Sequence, residues 1–211
     1  VPNAVAATGG GGIRLLANSD NTFVNVGNVS LVNNAGNAIE VQRDSATTVI
    51  RSGNGQGITR AASGAAIAID EGAPKFTYDG SITNARAPGS TDPSYLLSVE
   101  AVLASGEITL LSPPGNPFTD TGDGIFIADL AAGAKVKVVG ANIASSGANG
   151  ILVGRSAGEV EFRRMNITGA STAGVALLQS EAGLDAKFQQ LSINLVSPTA
   201  TGFLAATTTG A

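Results

Sequence analysis

The sequence predicts an all-β fold, a right-handed parallel β-helix (solenoid) of about eight rungs. Three observations predict it: a motif that repeats with a period near 26 residues, an alternating apolar pattern inside that motif, and a composition poor in helix-forming residues. One rung of such a solenoid contains short strands joined by turns, and successive rungs stack about 4.8 Å apart. A single rung cannot bury its apolar face, so the repeats must stack to form a core.

The repeated motif, which we call the anchor, is an apolar residue, any residue, and a second apolar residue. The anchors begin at Ile13, Ile39, Ile67, Leu97, Ile125, Ile151, Val175 and Phe203, with intervals of 24 to 30 residues. Alternate residues of a strand face the same side, so the first and third residues of each anchor are expected to point inward.

A second and a third short strand are expected in each rung. Equivalent residues of the second strand should form an inward, aromatic-rich column, made of Phe23, Phe76, Val138, Phe162 and Phe188. Asparagines at the third corner, Asn28, Asn142 and Asn166, are expected to accept left-handed backbone geometry there. The solenoid is expected to span residues 12–205, with a flexible N-terminal arm at 1–11 and a C-terminal tail at 206–211.

Composition excludes several function classes. The 211 residues include 13% charged residues, whereas globular domains have about 25%. The chain has no His and no Cys, which removes Ser-His-Asp and Cys-His catalysis, thiolate or imidazole zinc sites, and disulfides. The formal net charge is −4 and no basic run exceeds Arg163 and Arg164, so no nucleic-acid partner is expected. No apolar stretch is long enough to span a membrane.

The rung period and the Gly- and Asn-containing turns resemble the right-handed parallel β-helix superfold. Pectate-lyase-like enzymes, phage tailspikes and bacterial adhesin passengers share that superfold. The resemblance covers nearly all of residues 12–205, and it implies a fold without identifying a family member or a catalytic residue.

Two Pro- and Gly-rich segments, 84–95 and 112–123, lengthen consecutive rungs. We expect them at the same corner and therefore next to each other, either as tolerated loop growth or as the border of a binding site. The outward residues Phe126 and Leu152 should lie side by side on a surface exposed to water. We expect the 112–123 loop to cover them with Phe118 as a plug, and the alternative is a partner protein.

The carboxylates Asp70 and Glu100 should lie on adjacent rungs, with Glu71 beside them and Asp92 in the nearby loop. Three interpretations stay open. The side chains splay into water, which we favour, or they bind Ca²⁺, or they form an acid–base pair for glycoside hydrolysis. By contrast, Arg43 with Glu71 and Asp129 with Arg155 are expected to form structural ion pairs between rungs.

Other candidate site residues lie around the two long loops. Asp120 and Asp123 are weak calcium-ligand candidates, since their segment lacks the ligand spacing of an EF-hand. Arg86, Asp92, Tyr95 and Phe126 are candidates for binding a ligand such as a glycan. No cofactor is expected apart from Ca²⁺, and no catalytic residue is assigned.

The expected function is that of a structural or adhesive extracellular solenoid on a bacterial cell surface. No capping helix is evident at either end, so the solenoid is expected to contact copies of itself end to end or to continue into the neighbouring rungs of a longer chain. The alternative is a carbohydrate-binding or carbohydrate-cleaving β-helix, a polysaccharide lyase or glycoside hydrolase, with its site near the two loops.

Overall fold

The computed structural model describes residues 4–6, 12–19, 21–27, 29–32, 36–52, 57–179 and 183–206 as a parallel β-solenoid of about seven turns. No helix occurs among these residues. The strands are β1 (Ala4–Ala6), β2 (Ile13–Leu16), β3 (Phe23–Val26), β4 (Ser30–Val32), β5 (Ile39–Asp44), β6 (Thr47–Arg51), β7 (Gly57–Ala61), β8 (Gly64–Gly72), β9 (Lys75–Asp79), β10 (Ser81–Ala85), β11 (Ser94–Glu100), β12 (Glu107–Leu111), β13 (Phe118–Asp120), β14 (Ile125–Ala128), β15 (Lys135–Ala144), β16 (Asn149–Gly154), β17 (Glu159–Thr168), β18 (Ala173–Leu178), β19 (Asp185–Asn194) and β20 (Thr201–Ala206).

Three faces surround the core. Face 1 is an eight-stranded parallel sheet in the order β2, β5, β8, β11, β14, β16, β18, β20. Face 2 contains β3, β6, β9 and β12, and face 3 contains β1, β4, β7, β10 and β13. The long strands β15, β17 and β19 run across both of these faces, so faces 2 and 3 join into one sheet in the last rungs.

The eight anchors are the eight strands of face 1, and their predicted register is confirmed. Ile39 pairs with Ile13 and Ile67, and Ile125 pairs with Leu97 and Ile151. Ile39, Ile67, Leu97, Ile125, Ile151 and Val175 are almost fully buried, which places the anchor column at the centre of the core. Eight stacked strands, about 4.8 Å apart, make a face about 34 Å long.

The predicted aromatic column of face 2 is wrong by a register shift. Phe23 pairs with Thr47 and is 65% exposed, because it is on the outward side of β3. Phe76 and Phe162 are inward but belong to two different columns: Phe76 lies in register with Val136, and Phe162 with Val138. Within the predicted column, only the rings of Phe162 and Phe188 stack, with centroids 5.3 Å apart. Alternation alone could not distinguish two inward columns that are two residues apart.

A left-handed residue ends each of the first seven face-1 strands. It follows the first anchor residue by four positions in every rung and has φ between 45° and 59°, at Ala17, Arg43, Glu71, Ala101, Asp129, Arg155 and Gln179. The predicted asparagine corner differs. Asn142 and Asn166 pair with each other inside β15 and β17, while the left-handed positions near them are Gly140 and Arg164. Asn28 lies outside the described residues.

Glycines at the entrance to face 1 let the rungs approach each other closely. Gly124, Gly150 and Gly174 lie in register on consecutive rungs, each directly before an anchor. A Cβ on Gly150 would come within 2.3 Å of Ile167 Cγ2 and 2.8 Å of the Gly174 carbonyl oxygen. No larger side chain fits at that position without displacing the neighbouring rung.

Candidate functional site

The two long segments leave the solenoid at different corners, so the prediction of one shared corner is wrong. Residues 86–93 connect β10 of face 3 to β11 of face 1, whereas residues 112–117 connect β12 of face 2 to β13 of face 3. The two segments nevertheless meet through residues 121–123, which follow β13. The Thr121 N–H donates to the Asn84 carbonyl, and the Asp123 N–H donates to the Ser94 carbonyl.

Tyr95 covers the outward ring of Phe126. The two rings stack with centroids 5.6 Å apart and planes 27° apart. The predicted plug, Phe118, is instead fully buried in the core, with its ring 6.3 Å from that of Tyr78. The expected cover by the 112–123 loop is therefore wrong, because Phe118 belongs to an inward column of face 3, in register with Ile82 and Ala141.

An acidic groove of about 290 Å³ lies beside Tyr95 on the outer surface of face 1. Its floor is made by small side chains, Ala68 and Ser98, and polar groups surround that floor. The polar groups are those of Asn37, Glu40, Asp70, Tyr95 and Glu100. We call this cavity the acidic groove.

Asp70 and Glu100 are directly paired across adjacent rungs, as predicted. On the other side, Asp70 pairs with Gln42, whose Nε2 lies 3.5 Å from Asp70 Oδ2. Glu71 faces away from this pair and forms an ion pair with Arg43 at 3.0 Å. Asp70 and Glu100 therefore lie next to each other, whereas Glu71 forms a structural ion pair. Asp129 forms a similar ion pair with Arg155.

The Tyr95 hydroxyl lies in a negative environment. Partial burial raises its pKa, and the nearby carboxylates of Asp123 and Glu100 raise it further, while Arg86 opposes them. The negative charges disfavour tyrosinate, so the side chain stays a neutral phenol.

A second, apolar groove of about 280 Å³ follows the acidic groove along face 1. Ala128 and Gly154 form its floor, while Phe126, Leu152 and Leu178 form its walls. Arg155, which is paired with Asp129, and Gln179 border it. We call this cavity the apolar groove. Its floor continues the column of Asp70 and Glu100, since Glu100 pairs with Ala128, and Ala128 with Gly154.

A column of polar residues inside the solenoid supports this corner. Arg60, Asn84 and Asp120 occupy equivalent inward positions on three consecutive rungs of face 3, and each is at most 2% exposed. Arg60 Nη1 donates to Asn84 Oδ1 at 3.1 Å, and Asn84 Nδ2 donates to Asp120 Oδ1 at 2.5 Å. Arg60 also donates to the carbonyls of Gly36 and Ser63, and Asp120 Oδ2 accepts from the Gly124 N–H at 2.8 Å.

Burial dominates the electrostatics of this polar column. Desolvation raises the pKa of Asp120 to about 6, although hydrogen bonds from Asn84 and from the Gly124 and Gly122 amides oppose the shift. Desolvation lowers the pKa of Arg60 to about 10, and the charge of Asp120 partly offsets this. The column is thus a buried ion pair bridged by an amide, which ties three rungs together below the acidic groove.

Asp123 and Arg86, two of the predicted site residues, pair with each other beside the column. Arg86 Nη2 donates to Asp123 Oδ1, and the Ser94 N–H donates to Asp123 Oδ2 at 2.7 Å. Ser94 is fully buried, and its Oγ accepts from Asn84 Nδ2 at 3.2 Å. Both side chains are therefore used in fixing the start of β11, which carries Tyr95.

The predicted calcium ligands are distributed over separate places. Asp120 is buried, Asp123 pairs with Arg86, and Glu71 pairs with Arg43. Within the described ranges, no three carboxylates form a group that could hold a metal ion. Asp92 is exposed in the 86–93 loop, where its N–H donates to Ser90 Oγ.

Sequence reasoning missed Arg60, Asn37 and the inward position of Asn84. One signal could have found the buried column: the pattern apolar, Thr, polar occurs at 58–60, at 82–84 and at 118–120. Three repeats of that pattern on consecutive rungs indicate inward polar residues in register.

Comparison with known proteins gives no match to a family model, to a curated protein or to a solved structure. In the part of the chain described, there is no helix long and apolar enough to cross a membrane.

Proposed function

We propose that this chain is a structural β-solenoid that assembles by end-to-end stacking, with the last rung of one copy receiving the first rung of the next. The observation that carries the proposal is that inward apolar residues of the last strands, β19 and β20, are exposed or only partly buried. Ile151 and Val175 are fully buried, whereas Phe203, the next residue of the same inward column, is 46% exposed.

Aromatic side chains form much of this open end. Phe188 lies on the inward side of β19, and the edge of its ring meets Phe203 with centroids 5.5 Å apart. Leu191 and Ile193 continue the inward column of β19 and are only partly buried. Apolar surface of this kind is stabilised when a further rung covers it.

The backbone at this end also favours addition of a strand. Among the described strands, β20 pairs only with β18, and β19 only with β17. At the opposite end, β5 is the one partner of β2 among the described strands, and the inward residues Ile13 and Leu15 of β2 are partly buried. Two different open ends that pair head to tail make a heterologous contact, which generates filaments.

An extracellular or cell-surface location, in a bacterium, belongs to the same proposal. It is supported by the low charge content and the absence of Cys, which suit a long surface solenoid that is stabilised by its core rather than by disulfides. An adhesive role would use the outer surfaces of such a filament.

The test is electron microscopy and sedimentation velocity of the purified chain over a range of concentrations, comparing Phe203→Lys with Leu204→Lys. The two residues are neighbours on β20, but Phe203 is inward, whereas Leu204 is on the outward side of the strand, in register with the buried Ala176. We expect the original chain and Leu204→Lys to form rods longer than one solenoid, and Phe203→Lys to remain single. A monomer at every concentration, or loss of assembly only in Leu204→Lys, contradicts the proposal.

A second candidate function is carbohydrate binding, which the stacked pair of Tyr95 and Phe126 supports. An aromatic ring beside a groove lined by amide, hydroxyl and carboxylate groups is suited to a sugar ring, which has an apolar face and polar edges. The carboxylates of Asp70 and Glu100 are also the groups from which a glycosidase would draw its acid and base.

The test is titration of neutral, amino-bearing and acidic oligosaccharides, with the products analysed for cleavage. We expect binding that Tyr95→Ala weakens and that Phe23→Ala leaves unchanged, since Phe23 is an exposed aromatic residue of face 2. Equal binding by both variants would show that this site does not recognise carbohydrate.

A further inference from the structure

The two grooves of face 1 lie end to end along one column of outward residues. The column contains Asp70 and Glu100, then Ala128 and Gly154, and then Leu178, on five consecutive rungs. Charged groups therefore border the acidic groove, while Phe126 and Leu152 border the apolar groove on the next rungs. A ligand that fits both grooves must itself be polar at one end and apolar at the other.

The apolar groove offers no backbone hydrogen bonds to a ligand. Its strands β14, β16 and β18 are interior strands of face 1, each paired on both sides, so their N–H and C=O groups are already used. A peptide in this groove could not pair its own N–H and C=O groups with the backbone of these strands. An alkyl chain has no such groups and gains from burial against Phe126, Leu152 and Leu178.

The acidic groove determines the charge of the head group. Asp70 and Glu100 are like charges paired across adjacent rungs, and Asp70 Oδ2 accepts a long hydrogen bond of 3.5 Å from Gln42. A cation between the two carboxylates would relieve their repulsion. Glu40, which also borders the groove, already pairs with Arg14 at 3.1 Å. A protonated amine has the charge and the hydrogen-bond donors that two carboxylates require.

We propose that face 1 binds a long-chain amine, with its ammonium group between Asp70 and Glu100 and its alkyl chain along the floor of Ala128 and Gly154 towards Leu178. Three rises of the solenoid separate Glu100 from Leu178, about 14 Å. That length suits an extended chain of about twelve carbons. The proposal is independent of end-to-end stacking, because face 1 is lateral to both ends.

The experiment compares three probes with the same chain: dodecylamine, dodecanol and dodecanoate. Isothermal titration calorimetry is performed with each probe below its micelle-forming concentration. Tyrosine emission reports the location of binding, because the chain has no Trp and two Tyr, of which Tyr78 is buried in the core. We expect dodecylamine to bind at least about tenfold more tightly than dodecanol, and dodecanoate to bind more weakly than either.

Variants separate the two grooves. Leu152→Asp is expected to weaken binding of both dodecylamine and dodecanol. The double variant Asp70→Asn with Glu100→Gln is expected to remove the preference for the amine while dodecanol binding is unchanged. Glu107→Gln is the matched control, since Glu107 is an exposed carboxylate on face 2, and it should bind dodecylamine like the original chain.

Several outcomes overturn the proposal. Equal affinity for the three probes, or dodecylamine binding that survives both Leu152→Asp and the double variant, would assign the binding to non-specific attraction. Binding of a basic, leucine-rich peptide without binding of dodecylamine would assign the grooves to a protein segment. Self-association that Leu152→Asp abolishes, without amine binding, would assign the apolar groove to a second copy of this chain.

Discussion

Asn84 Nδ2 donates to Asp120 Oδ1 at 2.5 Å, and the two residues occupy equivalent inward positions on consecutive rungs. The amide also accepts from Arg60 through its Oδ1 at 3.1 Å, so it bridges a buried cation and a buried carboxylate. Most of the other buried side chains of the solenoid are apolar. The stability of the middle rungs therefore depends on the protonation and pairing of three side chains.

Asp120 makes the stability of the fold depend on pH. Its pKa rises from an ordinary 3.8 to about 6 because the carboxylate is desolvated, so the folded state retains a proton that the unfolded state releases. This contribution to stability is complete below about pH 4 and is lost as the pH rises through about 6. A shift of this size corresponds to about 3 kcal/mol.

The measurement is urea unfolding of the original chain and of Asp120→Asn between about pH 4 and pH 7. We expect the difference in unfolding free energy between the two chains to change by about 3 kcal/mol over that interval, with the original chain losing stability as the pH rises. Asp129→Asn is the control, because Arg155 lowers the pKa of Asp129 below 3.8. The contribution of Asp129 is lost only as the pH falls below about 4, so it should stay constant over this interval. Parallel pH profiles for the original chain and Asp120→Asn would refute the prediction.

Removing the buried cation should destabilise the fold strongly. Arg60→Met keeps most of the apolar stem but leaves Asn84 Oδ1 and the carbonyl of Gly36 without their donor, and Asp120 without its counter-charge. Loss of one partner of a buried pair costs about 3–5 kcal/mol. Urea unfolding of the single variants and of Arg60→Met combined with Asp120→Asn measures the coupling. If the double variant loses the full sum of the single losses, the two side chains do not act together.

Two glycines of β16 provide a matched test of rung packing. Gly150→Ala places a methyl group within 2.3 Å of Ile167 Cγ2, and overpacking of this kind costs about 1–3 kcal/mol. Gly154 lies four residues later on the same strand, where the nearest atom to a new Cβ is the Leu178 carbonyl oxygen at 3.6 Å. Gly154→Ala is therefore expected to be neutral or to stabilise by about 0.5–1 kcal/mol. Similar unfolding midpoints for the two variants would contradict this account.

Because Ala101 lies at a left-handed corner, its substitution by Gly and by Val should have opposite effects on the stability of the fold. Ala101 has φ of 53°, and this conformation costs a residue with a Cβ about 1–2 kcal/mol. Ala101→Gly should stabilise the fold by less than that, since the unfolded chain gains entropy, and Ala101→Val should destabilise it. Ala68→Val, inside β8, is the control and should change the unfolding temperature little. A stabilising Ala101→Val would show that the corner relaxes.

The register of face 1 could be predicted from the sequence because the left-handed corner follows each of the first seven anchors at the same distance. The pairs Arg14–Glu40 and Arg43–Glu71 follow from that register and are observed as ion pairs. The rest of the rung was harder. Phe23 has an apolar side chain on the outward side of its strand, so hydrophobicity indicated the wrong face. Segment lengths between faces 2 and 3 also vary, which hides the register of the third strand.

The candidate site was predicted only in part, for a physical reason. Tyr95, Phe126, Asp70 and Glu100 lie on face 1, and the fixed register places them next to each other. Asp120 appeared as a ligand candidate because an acidic residue in a Gly-rich segment is usually exposed. Asp120 can be buried because Asn84 and Arg60, from two other rungs, provide hydrogen bonds and an opposite charge. These partners become apparent only when the rungs are stacked.

The invariant corner at the end of face 1 has a consequence for how such a chain can change over evolutionary time. The distance from anchor to corner is the same in seven rungs, so an insertion or deletion there would shift the corner out of register with its neighbours. Length differences accumulate instead at the edges next to face 3, where residues 86–93 and 112–117 leave the coil. The solenoid thus has one side of constant spacing and two edges that accept extra residues, where loops can be gained, lost or grafted while the core stays unchanged.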